Sequence, residues 1–325
     1  MAQSKKRITS RLYFPQTLVL LVVLFFLFLV TIAQTKVDYL TVVQNVSPVN
    51  LFVENTPTAT PTLIPAPVKS TNNDVPYLTA RGYLVMDKDS REIVFSKNED
   101  LPFWPASTTK LMTALVSFDT YKLTDVVTVH SPVSEGRIMD LYEGEQITVE
   151  NLLYGTLIHS ANDAAFALAD FHPGGRAGFV NSMNQKAKEL NLINTHFSDP
   201  AGFDNEKQYS TASDLAVLTL TALANDTIAH IVSIPTITIS DANFVTFHKL
   251  SNVNELLGTM PGVAGVKTGW TENAKENLIT LTKRNGNEII IVVLGSDDRF
   301  GETILLTDWT FNNYSWPTDQ SMTDQ

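Results

Sequence analysis

Residues 82–96 and 276–295 both read as strand pairs, and most of what lies between them reads as helix; that order restricts the fold more than any other feature. Gly82–Asp87 and Glu92–Ser96 are short strands around the polar turn Lys88-Asp89-Ser90. Segments 276–284 and 288–295 flank Asn285-Gly286, a dipeptide that favours a tight hairpin because both residues tolerate positive φ. From roughly 105 to 231 the pattern is mostly helical, with Thr211-x-x-Asp214 as a capping box. Thr303–Asn312 predicts a last helix with Leu305, Leu306 and Trp309 facing inward. A chain that makes strands first and last closes one sheet late. The expectation is an α+β fold, an antiparallel sheet flanked by helices with an all-helical insert.

Three short tracts carry chemistry: Ser107-Thr108-Thr109-Lys110, Ser160-Ala161-Asn162 and Lys267-Thr268-Gly269. A hydroxyl three residues before an amine is one helical turn away, so the two share a face. A lysine kept neutral by apolar surroundings can take the serine proton and create a nucleophile. Leu111, Ala114, Leu115 and Phe118 follow at helical spacing, which predicts a core helix opening at Ser107. Taken singly the tracts are weak. Ser-x-x-Lys also describes a Ser N-cap with a solvated Lys, and Lys-Thr-Gly alone reads as a cationic turn. Ser-x-Asn recurs at Ser96-Lys97-Asn98 and Ser182-Met183-Asn184. Their order and flanks are what make them specific. Pro102 and Pro105 lead into Ser107 as a helix-start signal. Ser160 falls between apolar stretches at 151–158 and 164–169, where two packed helices should meet near a cleft. Residues 262–266 form a small-residue strand before Lys267, and glycines there admit a second backbone or a ligand.

The remaining chain sets bounds. Formal charge is −11 over 325 residues and there is no Cys, which excludes disulfides, a Cys nucleophile and thiolate metal sites. The six His residues show no metal-binding spacing, and no phosphate-cradling Gly loop or basic patch lies beyond the N-terminus, so neither metal nor nucleic acid is expected. Lys5, Lys6, Arg7 and Arg11 precede an apolar run, Leu18–Ala33. That pattern predicts an N-terminal transmembrane helix with a cytoplasmic N-terminus, favoured over a cleaved signal ending near Ala33. The expected organisation is a basic segment 1–17, a span 18–33, an extracytoplasmic Pro/Thr-rich linker 34–76, a compact domain 77–316 and a disordered tail 317–325.

The stretches PASTTKLMTALV (105–116), NLLYGTLIHSANDAAFALAD (151–170), YSTASDLA (209–216) and GVKTGWT (265–271) resemble the D-alanyl-D-alanine carboxypeptidases, low-molecular-weight penicillin-binding proteins of the serine peptidases. The resemblance covers roughly 78–316 and implies a β-lactamase/transpeptidase-like fold with a five-stranded antiparallel sheet. It implies that Ser107 attacks the carbonyl of a terminal D-Ala-D-Ala bond of a peptidoglycan stem peptide, and that β-lactams acylate the same serine. Lys110 would be the base, kept neutral by burial and by the cation Lys267, and Ser160 would relay a proton to the departing amine. Asn162 would hold the substrate amide. Lys267 and Thr268 would bind the terminal carboxylate, with Gly269 also among the substrate-binding residues and Arg299 as a second cation. The backbone N–H groups of Ser107 and Trp270 would form the oxyanion hole, and no metal or organic cofactor is implied. Two other readings remain at this stage. A class A β-lactamase needs a Glu where Leu190-Asn191 places Ala187. A sensor that binds β-lactams or muropeptides without turnover would need a signalling domain, and none is marked.

Overall fold

The computed structural model describes residues 64–317. The expected span 18–33, the linker up to residue 63 and the tail from 318 lie outside the described residues.

The central sheet has five antiparallel strands, built from β2 (Gly82–Asp87), β3 (Ile93–Lys97), β8 (Val263–Thr271), β9 (Lys275–Arg284) and β10 (Asn287–Ser296) in the order β3-β2-β10-β9-β8. The two strand pairs read from the sequence are both present. They meet in the middle, where β10 pairs with β2 from Ile289↔Asp87 to Leu294↔Gly82. Strand periodicity explains why both faces are apolar. Leu84, Met86, Ile290, Val292 and Leu294 enter the main core, which also holds Leu111, Met112 and Leu115 of helix α1 (Lys110–Thr120) and Leu215 and Leu218 of a later helix. Tyr83, Val85, Ile289, Ile291 and Val293 face the other way, toward Leu306 of the C-terminal helix.

Between the strand pairs lie β4 (Val126–Thr128), β5 (Gln146–Thr148), α2 (Val149–Leu157), α3 (Asn162–Asp170), α4 (Gly175–Glu189), α5 (Ala212–Leu223) and α6 (Asp226–Val232). The hairpin β6 (Thr236–Ser240) and β7 (Phe247–Ser251) follows. The middle is thus largely helical, as expected, but it contains the β4–β5 pair, whose three-residue strands are too short to leave a period. Thr211 caps α5 by accepting from Asp214 N; the Asp214 carboxylate turns instead to Asn194 N and Thr195, so only half of the capping box forms.

Two expectations are corrected. The last helix, α7 (Arg299–Asn313), buries Leu306 and Trp309 but leaves Leu305 48% exposed, because a neighbour 100° round the helix from a buried residue need not share its face. The packed unit also begins before Tyr77. Val68–Lys69 (β1) pairs with Tyr314–Ser315 (β11), Ser70 N donates to Asn313 O, and Trp309 Nε1 donates to Asp74 O. Pro-rich composition did not signal this, since a two-residue pairing needs only an edge to bind.

Candidate active site

Ser107 sits in a 3₁₀ turn, Ala106–Thr109, that runs straight into α1. In such a turn residues three apart eclipse, so Ser107 and Lys110 stand one above the other. The helix was expected to open at Ser107; the α-helix proper begins at Lys110. Ala106 enters the turn at φ 48°, a left-handed conformation that costs a residue with a Cβ about 1–3 kcal/mol. Two neighbours hold it there. A Cβ on Gly202, at φ +94°, would fall 1.9 Å from Ala106 O. One on Gly269 would lie 3.0 Å from Pro105 O and 3.2 Å from Ser107 N. The nucleophile turn is therefore gripped between the 199–203 loop and strand β8, at a separation that only glycine allows at 202 and that a Cβ would crowd at 269.

Lys110 is completely buried, and its Nζ lies 2.9 Å from Ser107 Oγ, 2.7 Å from Asn162 Oδ1 and 2.9 Å from Ala201 O. Burial brings its pKa down to about 7, with Asp199 and Asp163 opposing the shift. This geometry is informative about protons. The amide oxygen of Asn162 and the carbonyl of Ala201 can only accept, so they take the two hydrogens of a neutral amine. The remaining lone pair then faces Ser107, whose hydroxyl becomes the donor.

The second tract lies, as read, where α2 gives way to α3. Ser160 adopts φ 60° and is buried, and its Oγ accepts from Lys267 Nζ at 2.9 Å. Lys267, on β8, is buried too, and its pKa falls well below the ordinary value through burial first, then through Lys110, Arg299 and Arg137. Burial, the first cause expected for a neutral Lys110, is the largest one acting on it, and the two buried lysines disfavour one another's charged form. Asn162 differs from expectation. Its Oδ1 holds Lys110 and its Nδ2 donates to Glu135 O at 2.8 Å, so both ends of the amide are engaged.

A cleft of about 690 Å³ opens over these groups, lined among others by Ser107, Ser160, Asn162, Thr268, Gly269, Trp270 and Arg299. Arg299 starts α7, donates from Nη1 to Gly269 O at 3.0 Å and rests 4.7 Å from the Phe300 ring. Trp270, 63% exposed, stands at the rim. All nine residues singled out from the sequence thus lie in or under one cleft.

The sequence reading missed the supports. Asp199 accepts from the N–H groups of Ala201 and Gly202 at 2.8 and 2.7 Å and so aims Ala201 O at Lys110. Asp163, buried beside Asn162, accepts from Met139 N and Leu141 N. Asp199-Pro200-Ala201-Gly202 carries a turn signal that marks the loop, though not what it faces.

A family model described as D-alanyl-D-alanine carboxypeptidase matches residues 69–298. The chain is 34% identical over 245 residues to D-alanyl-D-alanine carboxypeptidase DacF of Bacillus subtilis, covering 72% of this chain and 63% of the relative. It is 36% identical over 264 residues to DacC of Escherichia coli, covering 75% and 64%. It therefore spans somewhat less than two thirds of these relatives' length. The crystal structure of the Streptomyces K15 DD-transpeptidase superposes with a TM-score of 0.70 at 31% identity, over 74% of this chain and all of that one. The gripped Ser107 turn, the Lys110 amine and the β8 edge belong to the stretch covered by the family match. The chain belongs to the D-alanyl-D-alanine carboxypeptidase family.

Proposed function

We propose that this protein is a serine-type D-Ala-D-Ala carboxypeptidase that removes the terminal D-alanine of peptidoglycan stem peptides through an acyl-enzyme on Ser107. The observation that carries the reading is the Lys110 amine, fully buried, with a pKa of about 7 and its lone pair directed at Ser107 Oγ 2.9 Å away. Few buried lysines are arranged to lose a proton near neutral pH, and such a group suits a general base.

Ser107 Oγ adds to the carbonyl carbon of the penultimate D-Ala as its proton passes to Lys110. The oxyanion is received by the N–H groups of Ser107 and Trp270. As the C–N bond breaks, the proton taken up by Lys110 passes by way of Ser160, which Lys267 orients, to the leaving amine, and Lys110 is neutral again. D-Alanine departs, and water attacks the ester as Lys110 accepts its proton and returns it to Ser107 Oγ when the acyl–oxygen bond breaks. Lys267, Thr268 and Arg299 receive the substrate's terminal carboxylate, beside Gly269. A bound carboxylate favours the charged form of Lys267 and so offsets the burial that lowers its pKa in the open cleft. Asn162 serves this scheme first by holding Lys110, and a substrate amide reaches it only by displacing one of its two contacts.

The test is incubation of the protein with a pentapeptide ending in D-Ala-D-Ala. Equimolar free D-alanine and shortened peptide are expected, along with labelling of Ser107 by a tagged penicillin and none in Ser107→Ala. A tag mapped to another residue, or no D-alanine release, would remove the reading.

The same proposal places the domain outside the cytoplasm on an N-terminal membrane anchor at 18–33, because four cations precede that apolar run. Protease added to intact cells should reach the domain, and the mature chain should retain Lys5–Arg11. A mature protein beginning near Gln34 would make the run a cleaved signal.

A further inference from the structure

His248, on β7, has an oxygen against each ring nitrogen. Nδ1 lies 2.8 Å from Met139 O and Nε2 lies 2.7 Å from Glu145 Oε1. His248 is 6% exposed and Glu145 1%. A carbonyl oxygen can only accept, and the other oxygen of Glu145 accepts from Tyr142 N at 3.3 Å, as a carboxylate does. An imidazolium satisfies both contacts, whereas a neutral ring would turn a lone pair toward one of the oxygens. The hydrogen bond to Glu145 raises the His248 pKa, burial lowers it, and the charges of Glu145 and Asp163 and the Met139 carbonyl add to the rise. The charged groups acting on the ring from the neighbouring elements are all acidic: Glu145 before β5, Asp163 on α3 and Asp241 at the hairpin turn. Lys249, next along β7, points to the exposed face.

The residues gripped by His248 belong to a strap over the cleft. Met139 is held at both ends, its carbonyl by His248 and its N–H by Asp163 at 3.1 Å. Two residues earlier Arg137 O accepts from Asn162 N at 2.7 Å, and Glu135 O accepts from Asn162 Nδ2. Asn162 Oδ1 in turn accepts from Lys110 Nζ. Hydrogen bonds and three to five residues of strap backbone thus link the β6–β7 hairpin to the base.

We propose that His248 is a positioning residue for acylation: as an imidazolium it pins strap 135–145 through Met139 and Glu145, and so holds Asn162 and the Lys110 amine in line with Ser107. The proposal rests on the acyl-enzyme reading above. Its pH dependence has a definite sign. A histidine whose pKa is raised by folding contributes stabilisation that is complete below the ordinary imidazole value and is lost as pH rises through the raised one. Loss of the His248 proton should therefore lower acylation as pH rises, opposite in sign to the gain from deprotonating Lys110.

The test uses the full chain and a fluorescent penicillin between about pH 6 and 10. In the wild type the acylation rate rises through about 7 as Lys110 loses its proton, then declines as His248 loses its own. His248→Gln should acylate about 10²-fold more slowly on the plateau, the scale of a small misplacement of a reacting group, with the alkaline decline gone. A His248→Gln protein of unchanged melting temperature, with the wild-type plateau and decline, overturns the proposal, because the alkaline limb then belongs to another group such as Lys267. If that variant does not fold, NMR of the wild type decides. With ¹³C-labelled His and Met methyl groups, His248 should keep its proton to a higher pH than an ordinary imidazole, and its deprotonation should move the Met139 methyl in the same step. A neutral His248 at neutral pH, or a Met139 signal that ignores it, overturns the proposal. The NMR readout needs no acylation. A wild-type protein that penicillin fails to label would refute the acyl-enzyme reading and leave the His248 contact to be judged by those signals.

Discussion

Lys110→Arg is expected to give a folded protein that no longer acylates Ser107, with a loss of about 10³-fold or more in the rate of penicillin uptake. The size follows from removing a positioned general base, which contributes about 10²–10⁴-fold. The fold should survive because the three groups around Lys110 Nζ are all able to accept: Ser107 Oγ, Asn162 Oδ1 and Ala201 O. A guanidinium has donors for each of them but stays protonated at every working pH, so no lone pair is left for the serine proton. The wild type supplies the matching control. Its acylation rate should rise with pH through about 7, where burial has placed the Lys110 pKa, since only the deprotonated amine is active. Stopped-flow measurement with a chromogenic β-lactam, beside a thermal melt, checks both. A folded Lys110→Arg protein acylating at near-normal rate would move the base to another residue, with Ser160 next in reach of Lys267.

How much of this could be read from the chain depends on the range over which each feature is encoded. The β9–β10 hairpin was legible because Asn285 and Gly286 both take positive φ, 52° and 85°, in a turn whose chemistry is local. The Ser107–Lys110 pairing was legible because one helical turn fixes it. Ser160 and Lys267 were placed by tract order and flanks, and the fold closes their sequence separation of 107 to 2.9 Å. What sequence does not carry is the identity of long-range partners. Asp199, Asp163 and the His248–Glu145 pair read as ordinary polar residues in turns and short strands, and only the closed fold brings them against the Ala201 loop, the strap and the neighbourhood of Asn162. Asn162 shows the same limit from the other side. Its place in the cleft was legible, but its saturation by Lys110 and Glu135 O was not. Leu305 failed for a simpler reason: adjacent leucines look alike in composition, and neighbours 100° apart on a helix need not share its buried face.

The penicilloyl ester on Ser107 should persist for minutes or longer, and this separates a peptidase from a β-lactamase with the same nucleophile. A lactamase keeps a carboxylate to activate the deacylating water. Where the sequence would place it, this chain has Ala187, on α4 and buried in the main core. The acids that do line the cleft are Glu135, Asp204 and Glu272. Asp204 is engaged by Thr271 Oγ1 and by Asn273 N, and Glu135 and Glu272 are exposed to solvent at the rim. Lys110 is left as the base for deacylation. After attack on a peptide, D-alanine diffuses away and leaves room for water beside that amine. After attack on a penicillin, the opened ring stays attached to the acyl group and occupies the same place. Losing one well-placed transition-state contact, about 3–4 kcal/mol, slows a step by about 10²–10³. Intact-mass measurement after a brief pulse of penicillin should therefore find the adduct long after free drug is removed, while the same protein releases D-alanine repeatedly from a pentapeptide. Rapid return to the unmodified mass, with penicilloic acid in molar excess over protein, would mean that a water-activating base exists in the cleft and that the lactamase reading is the better one.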